Sequence, residues 1–228
     1  MTPEKLLSYG LPLFDGLTPD DLANIQLDVS EKKLEAWQTV FDQEDDSYDL
    51  CFLLSGSLIA VFWTTQGREI VFSRFPIGTH FGELAAFDGK HRSLAVVAKT
   101  EAHVLAMRRE GFMQLFNDIP LIRERITLSL IARIRTLTER YMEMSTLSVE
   151  QRVQTYLLRF AVEQGKLFVG AIVEDAPTHA EIAGSIGANR EMVSRSISKL
   201  NKRGVIKSAR QKIEILDPQA LSNETNSS

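Results

Sequence analysis

The chain carries one cysteine in 228 residues. Cys51 lies in the apolar run DLCFLLSG. It has no internal disulfide partner, cannot alone hold a zinc or iron–sulfur centre, and reads as a small buried hydrophobe. Histidine is nearly as sparse, with four. His80 near Glu83 hints at a cupin metal set, but that set needs two histidines one residue apart and a third downstream, and GTHFGE supplies one. His80, His91 and His103 are haem-ligand candidates by residue type alone, and a surface or core place explains His80 better. No metal, no covalent cofactor and no catalytic constellation is expected. No apolar run approaches the roughly 18 residues of a membrane span, and MTPEKLLSYG lacks a signal-peptide core. No membrane contact and a reducing, cytoplasmic compartment are the expectation.

What is present is enough for two cores: 44% of residues are hydrophobic and 25% charged. The net charge of −4 is unevenly spread. Residues 1–118 hold 10 Lys/Arg against 18 Asp/Glu, whereas residues 188–228 hold 8 against 4. Within 188–212 the eight basic residues face Glu191 alone. Such separation suggests an acidic sensor or scaffold joined to an end that binds a polyanion.

From about Val40 to Ala106 short apolar runs are punctuated by Ser55-Gly56, Gln66-Gly67, Pro76-Ile77-Gly78 and Asp88-Gly89. This predicts a closed or double-layered β domain. The period changes at Asn117-Asp118, with Asp118 as a helix N-cap and Pro120 in the first turn. Ile122, Ile126, Leu130, Ile134, Leu137, Tyr141 and Met144 then form one thin stripe. It resembles a coiled-coil seam and predicts a homodimer through helix 119–145. Ser148 with Gln151, and Thr178 with Glu181, are capping boxes. Gly187 permits a tight turn, Asn189 caps the next helix, and Val193, Ile197 and Leu200 give it an apolar face. The pattern is a helix–turn–helix, followed by VIKSARQKIEIL as two small strands around a basic turn. The tail SNETNSS is polar and expected to be disordered.

The second helix of that pair opens with Arg190, Glu191, Met192, Ser194 and Arg195. Arginine forks suit guanine O6 and N7, and a glutamate accepts from the cytosine amino group. Lys199, Lys202, Arg203, Lys207, Arg210 and Lys212 suit phosphates. Another question comes from Arg92, set beside Ser93 and among apolar neighbours, because a buried cation needs a partner.

The motif TxxEIAxxIGxNREMVSRxxxxL resembles the recognition motif of the CRP/FNR family of bacterial regulators, and FGELAAFDGKHRSLA resembles that family's phosphate-binding cassette. The likeness spans nearly the whole chain. It implies an α+β protein with a jelly-roll-like β-roll over 1–118, a dimerisation helix over 119–145 and a winged helix–turn–helix over 146–228. It implies a cyclic nucleotide as allosteric effector, cyclic AMP or cyclic GMP. Arg92 and Ser93 would hold the phosphate, Glu83 the ribose 2′-hydroxyl, with the Gly82 and Leu84 amides nearby and Leu137 and Thr138 at the base. Thr178, Asn189, Arg190, Glu191, Ser194, Arg195, Lys199, Lys202 and Arg210 would contact double-stranded DNA with palindromic half-sites near TGTGA. RNA polymerase is an implied partner.

Three departures bear on this. Leu94 follows Arg-Ser where the family usually has alanine. Leu137-Thr138 stands where Thr-Ser grips adenine. Glu44-Asp45 replaces a favoured Gly-Asp. A regulator needing no ligand or sensing another effector, and a nucleotide-binding scaffold acting on partner proteins, are the alternatives. Forked donors at a helix start argue for DNA over the scaffold.

Overall fold

The computed structural model describes residues 1–65 and 69–223 and divides into two compact units, Met1–Arg133 and Ile134–Ser228. The turn expected at Gln66-Gly67 and the tail from residue 224 lie outside the described residues.

The first unit opens with helix α1 (Pro3–Ser8), capped by Thr2. Eight strands follow: β1 (Val29–Leu34), β2 (Thr39–Phe41), β3 (Leu50–Ser55), β4 (Leu58–Trp63), β5 (Glu69–Phe75), β6 (His80–Phe81), β7 (Ala95–Ala98) and β8 (Ala102–Met107). They form two antiparallel sheets, ordered β1-β8-β3-β6 and β2-β7-β4-β5. Strand β3 is apolar from Leu50 to Leu54, and its first four residues are buried because both faces are covered. Leu50 and Phe52 join a core with Phe14, Met107 and Phe112, while Cys51 and Leu53 join another with Phe41, Leu58, Phe81 and Val96. Alternating side chains of one strand thus fill two separate cores.

Two short helices belong to this unit as well. Helix α2 (Glu83–Asp88) interrupts the strands between β6 and β7, so the expected turn at Asp88-Gly89 is its end, with Gly89 left-handed at φ 65°. Helix α3 (Arg109–Asp118) precedes the long helix α4 (Pro120–Thr146). Asp118 is therefore the last residue of α3 and not an N-cap, and the helical period starts at Arg109, ahead of the predicted change at Asn117-Asp118. Pro120 does open the long helix.

The stripe on α4 divides. Ile122 and Ile126 are fully buried in the unit's own core and Leu130 packs on it. Ile134, Leu137, Tyr141 and Met144 are exposed, as are Leu128, Ile131 and Met142. The expected single seam is corrected by this. Its first two turns are already spent on intrachain packing, and the apolar surface left over joins the rest of the stripe, from Ile134 to Met144, with Leu128, Ile131 and Met142.

The second unit continues with α5 (Val149–Glu163), β9 (Ala171–Glu174), α6 (His179–Ser185), α7 (Arg190–Lys202), β10 (Ile206–Ala209), β11 (Lys212–Ile215) and α8 (Pro218–Asn223). Both capping boxes close as their spacing demands, and Asn189 caps α7 through the Met192 amide at 2.8 Å. Val153, Leu157, Ile182, Val193, Ile197 and Leu200 share one core with Ile206, Ile213 and Ile215. A third strand, β9, completes an antiparallel sheet ordered β10-β11-β9. Helix α8 takes up Ser222 and Asn223, which composition assigned to the tail.

Candidate functional sites

In the first unit, the segment after β6 turns sharply at Gly82, with φ 86°, and enters α2. Only glycine fits. A Cβ there would lie 2.5 Å from Arg92 NH1 and 3.0 Å from the Asp49 carbonyl oxygen. The close approach lets the Arg92 guanidinium reach backbone. NH1 donates to the Gly82 carbonyl and NH2 to the Asp49 carbonyl, both at 2.8 Å, and Nε donates to Ser47 Oγ at 3.0 Å. The Phe41 ring lies 4.0 Å from Cζ. Arg92 is 3% exposed, and burial lowers its pKa from the usual arginine value, though an arginine stays cationic at any physiological pH. Its hydrogen-bond partners are thus neutral groups, and among the described residues no carboxylate is bonded to it.

Glu83, 1% exposed, does not pair with Arg92. Its Oε1 accepts from Arg133 NH1, whose other nitrogen donates to the His80 carbonyl at 2.7 Å. Glu83 Oε2 is buried with no partner, as is His80 Nε2. Burial, reinforced by the Arg133 cation, lowers the His80 pKa to about 4. A buried carboxylate oxygen without a donor is costly, and it faces a demand that a ligand hydroxyl would meet.

Arg133 is not among the site residues that the sequence suggests. The signal that finds it is its position seven residues, or two helical turns, after the buried Ile126. The face that α4 turns toward the β unit next presents Arg133. Of the other expected effector residues, Ser93 is exposed, Leu84 is 54% exposed in the first turn of α2, and Leu94 is half-buried. Leu137 and Thr138 are exposed on α4, and the Thr138 hydroxyl donates to the Ile134 carbonyl at 3.0 Å. The Glu44 departure has a visible cost, because Glu44 adopts φ 69°, a conformation glycine takes freely. Cys51 is buried and its thiol is pushed up to about 12 by desolvation, which makes it inert.

In the second unit, α6 and α7 meet at Gly187, φ 62°, and the Ile186 carbonyl accepts from Arg152 of α5 at 2.6 Å. The N-terminal half of α7 presents Arg190, Glu191, Met192, Ser194 and Arg195 to solvent, while Val193, Ser196 and Ile197 are buried beneath. Thr178 is exposed at the start of α6. The β10–β11 turn carries Arg210 and Gln211, the latter at φ 56°, with its carbonyl accepting from the Ala176 amide at 3.0 Å. Asn201 of α7 brackets Ser208 with two side-chain bonds of 2.7 and 2.8 Å, which fixes the small sheet to the helix. Lys202, Lys207 and Arg210 are exposed. Lys199 is exposed but holds Glu150 Oε2 at 2.7 Å, and Lys212 holds Glu174 at 3.0 Å.

Among the described residues no cluster of acids, histidines and cysteine could hold a metal, and no helix is long and apolar enough to cross a membrane.

Residues 31–118 match the Cyclic nucleotide-binding domain family and residues 151–224 the Crp-like helix-turn-helix domain family. The Cyclic AMP receptor protein of Thermus thermophilus is 29% identical over 216 residues, which cover 93% of this chain and 95% of that relative. The cAMP-activated global transcriptional regulator CRP of Escherichia coli is 26% identical over 175 residues, 76% and 83% of the two chains. In fold, the solved structure of FixK2 from Bradyrhizobium japonicum superimposes with a TM-score of 0.76 at 18% identity, over 89% of this chain and all of that one. The chain belongs to the CRP/FNR family of transcription regulators.

Proposed function

We propose that this regulator is gated by a cyclic nucleotide, cyclic AMP before cyclic GMP, bound in the β unit. The observation that carries the reading is the pairing of two incomplete charges. Arg92 is buried with only neutral partners, and Glu83 Oε2 is buried with none. A cyclic phosphodiester next to a ribose 2′-hydroxyl supplies an anion for the first and a donor for the second. The phosphate sits at Arg92 and Ser93, near the Gly82 and Leu84 amides, and the base runs toward Leu137 and Thr138. Arg133 makes the switch intelligible. It ties one oxygen of Glu83 to α4, so a ligand hydroxyl bonded to the other oxygen is coupled to that helix through a single carboxylate. Moving a two-state balance from 1:99 to 99:1 needs about 5.5 kcal/mol of differential affinity.

The chain acts as a homodimer through the apolar surface of α4, sets α7 in successive major grooves of a palindrome about 34 Å apart, and works in the cytoplasm with RNA polymerase as partner. Arg190, Glu191, Ser194 and Arg195 read bases, while Thr178, Asn189, Lys199, Lys202 and Arg210 hold the backbone.

Titration calorimetry with cyclic AMP, cyclic GMP and 2′-deoxy cyclic AMP tests the effector. Wild type is expected to favour cyclic AMP over its deoxy analogue by roughly tenfold, the scale of one buried hydrogen bond to a charged group. Glu83→Gln keeps an acceptor for Arg133 but replaces the charged Oε2 with a neutral donor to which the hydroxyl can only offer its oxygen, so the preference should shrink. Arg92→Leu is a poorer probe, because it would orphan the Gly82 and Asp49 carbonyls that Arg92 satisfies. A second reading has its own support. Three of Arg92's donors and one oxygen of Glu83 are already satisfied within the chain, which is what a regulator active without ligand requires. Absence of binding heat at millimolar nucleotide, with DNA binding intact, would favour that reading.

A further inference from the structure

Arg92 has three hydrogen-bond partners, and two of them are backbone carbonyls. Those two depend on the backbone path and not on a side-chain acceptor. The third is the Ser47 hydroxyl, which accepts Nε–H at 3.0 Å across 45 positions of sequence. It is the one partner whose presence depends on a side chain. The segment around it is tied to the same strand entry by backbone: the Glu44 amide donates to the Arg92 carbonyl at 3.0 Å, and the Arg92 amide donates to the Asp45 carbonyl at 3.2 Å. Asp46 holds His91 Nδ1 at 2.8 Å. With the Asp49 carbonyl, the loop between β2 and β3 therefore grips residues 91 and 92 at five places.

We infer that Ser47 is a positioning residue for the effector's phosphate, and that it acts through Arg92. This rests on the cyclic-nucleotide reading above. A guanidinium has five N–H donors, and with Nε, one hydrogen of NH1 and one of NH2 used, one remains on each terminal nitrogen. Those two donors remain for the oxygens of a phosphodiester. Holding Nε at Ser47 fixes the rotation of the planar group about its long side chain, so the terminal pair is presented without being ordered at the moment of binding. Preorganisation of this kind lowers the entropic cost of association. Without the hydroxyl, Nε is left to find another acceptor, and the terminal nitrogens turn with it.

The test uses the full-length protein, with Ser47→Ala and Ser47→Thr compared to wild type by calorimetry against cyclic AMP and 2′-deoxy cyclic AMP. Ser47→Ala is expected to weaken cyclic AMP by about tenfold, on the scale of one hydrogen bond to a charged group. The ratio between the two nucleotides should stay at the wild-type value, because the 2′-hydroxyl contact at Glu83 does not involve Ser47. Ser47→Thr restores the hydroxyl and should return the affinity. A Ser47→Ala affinity within twofold of wild type overturns the inference. So does a threonine variant as weak as alanine, or a ratio that collapses together with the affinity, since either marks a general loosening of the loop. Wild-type protein that takes up no cyclic nucleotide defeats the underlying reading first, and is recognised by being independent of the substitution.

Discussion

His80 shows how one residue's surroundings set a pH dependence. Its pKa is lowered to about 4, first by burial and then by the Arg133 cation. In the unfolded chain an ordinary histidine titrates near 6.5. Between those values the unfolded state binds a proton that the folded state refuses, so acidification favours unfolding. The stability contribution is intact above about pH 6.5 and is lost as pH falls toward 4, by at most about 3 kcal/mol. Glu31 also loses stability on acidification, but its carboxyl is held near 2 by Lys5 and then Tyr9, so its loss falls between pH 4.5 and about 2. Urea midpoints measured from pH 7 to 4.5 stay clear of Glu31, and comparison with a His80 variant cancels His179, whose pKa burial and the Arg190 cation also lower. Wild type should lose stability over that range relative to His80→Phe, and parallel curves would refute the assignment. At this same scale Arg133 and Ser47 escaped the sequence. An arginine on a long helix reads as solvent-facing, and a serine in an acidic loop reads as turn chemistry. Both roles arise from partners 50 and 45 positions away, and no local spacing encodes such a pairing.

At the scale of elements, legibility followed the range of the interaction. The capping boxes at Ser148 and Thr178, the Asn189 cap and the turn at Gly187 are settled within four residues, and each stands where the spacing put it. The α3 helix was missed because Asn117-Asp118 looks like the start of a helix when it is the end of one. The coiled-coil stripe was over-read because periodicity reports which residues share a face, not whether that face meets the same chain or another. Gly82 and Gly165 separate two reasons for glycine. Both are left-handed, at φ 86° and 63°, but a Cβ at Gly165 meets nothing within 4 Å, while one at Gly82 runs into Arg92 NH1. Gly165→Ala should cost about 1 kcal/mol from backbone strain alone. Gly82→Ala should cost clearly more and abolish nucleotide binding, because the guanidinium must move. Thermal melts of the two variants decide this, and equal losses would mean the Arg92 contact is easily rearranged.

Over the whole molecule the charge is divided by sequence position. The acidic excess lies in residues 1–118 and the basic excess in 188–228. A polyanion is therefore drawn to the basic 188–228 segment and repelled by residues 1–118, while residues 119–187 balance. Two classes of residue on α7 then separate by their response to salt. Lys202, exposed in the last turn, is free to contact phosphate. Lys202→Ala in a dimer removes one such contact per protomer, so the slope of log K against log salt should fall in magnitude by about 2, with all DNA sequences weakened alike. Lys199 is equally exposed but already holds Glu150 at 2.7 Å, so its alanine variant should change the slope less, since part of its charge is spent within the chain. Arg190 stands at the other end of the helix, exposed and directly after the Asn189 cap. Arg190→Ala should cost about 1–3 kcal/mol at one guanine of each half-site and leave preference at the remaining positions in place. Gel shifts at three salt concentrations on specific and scrambled duplexes measure both effects together. If Arg190→Ala lowered specific and scrambled binding equally, that residue would be a phosphate contact, and the reading of bases would pass to Glu191 and Arg195.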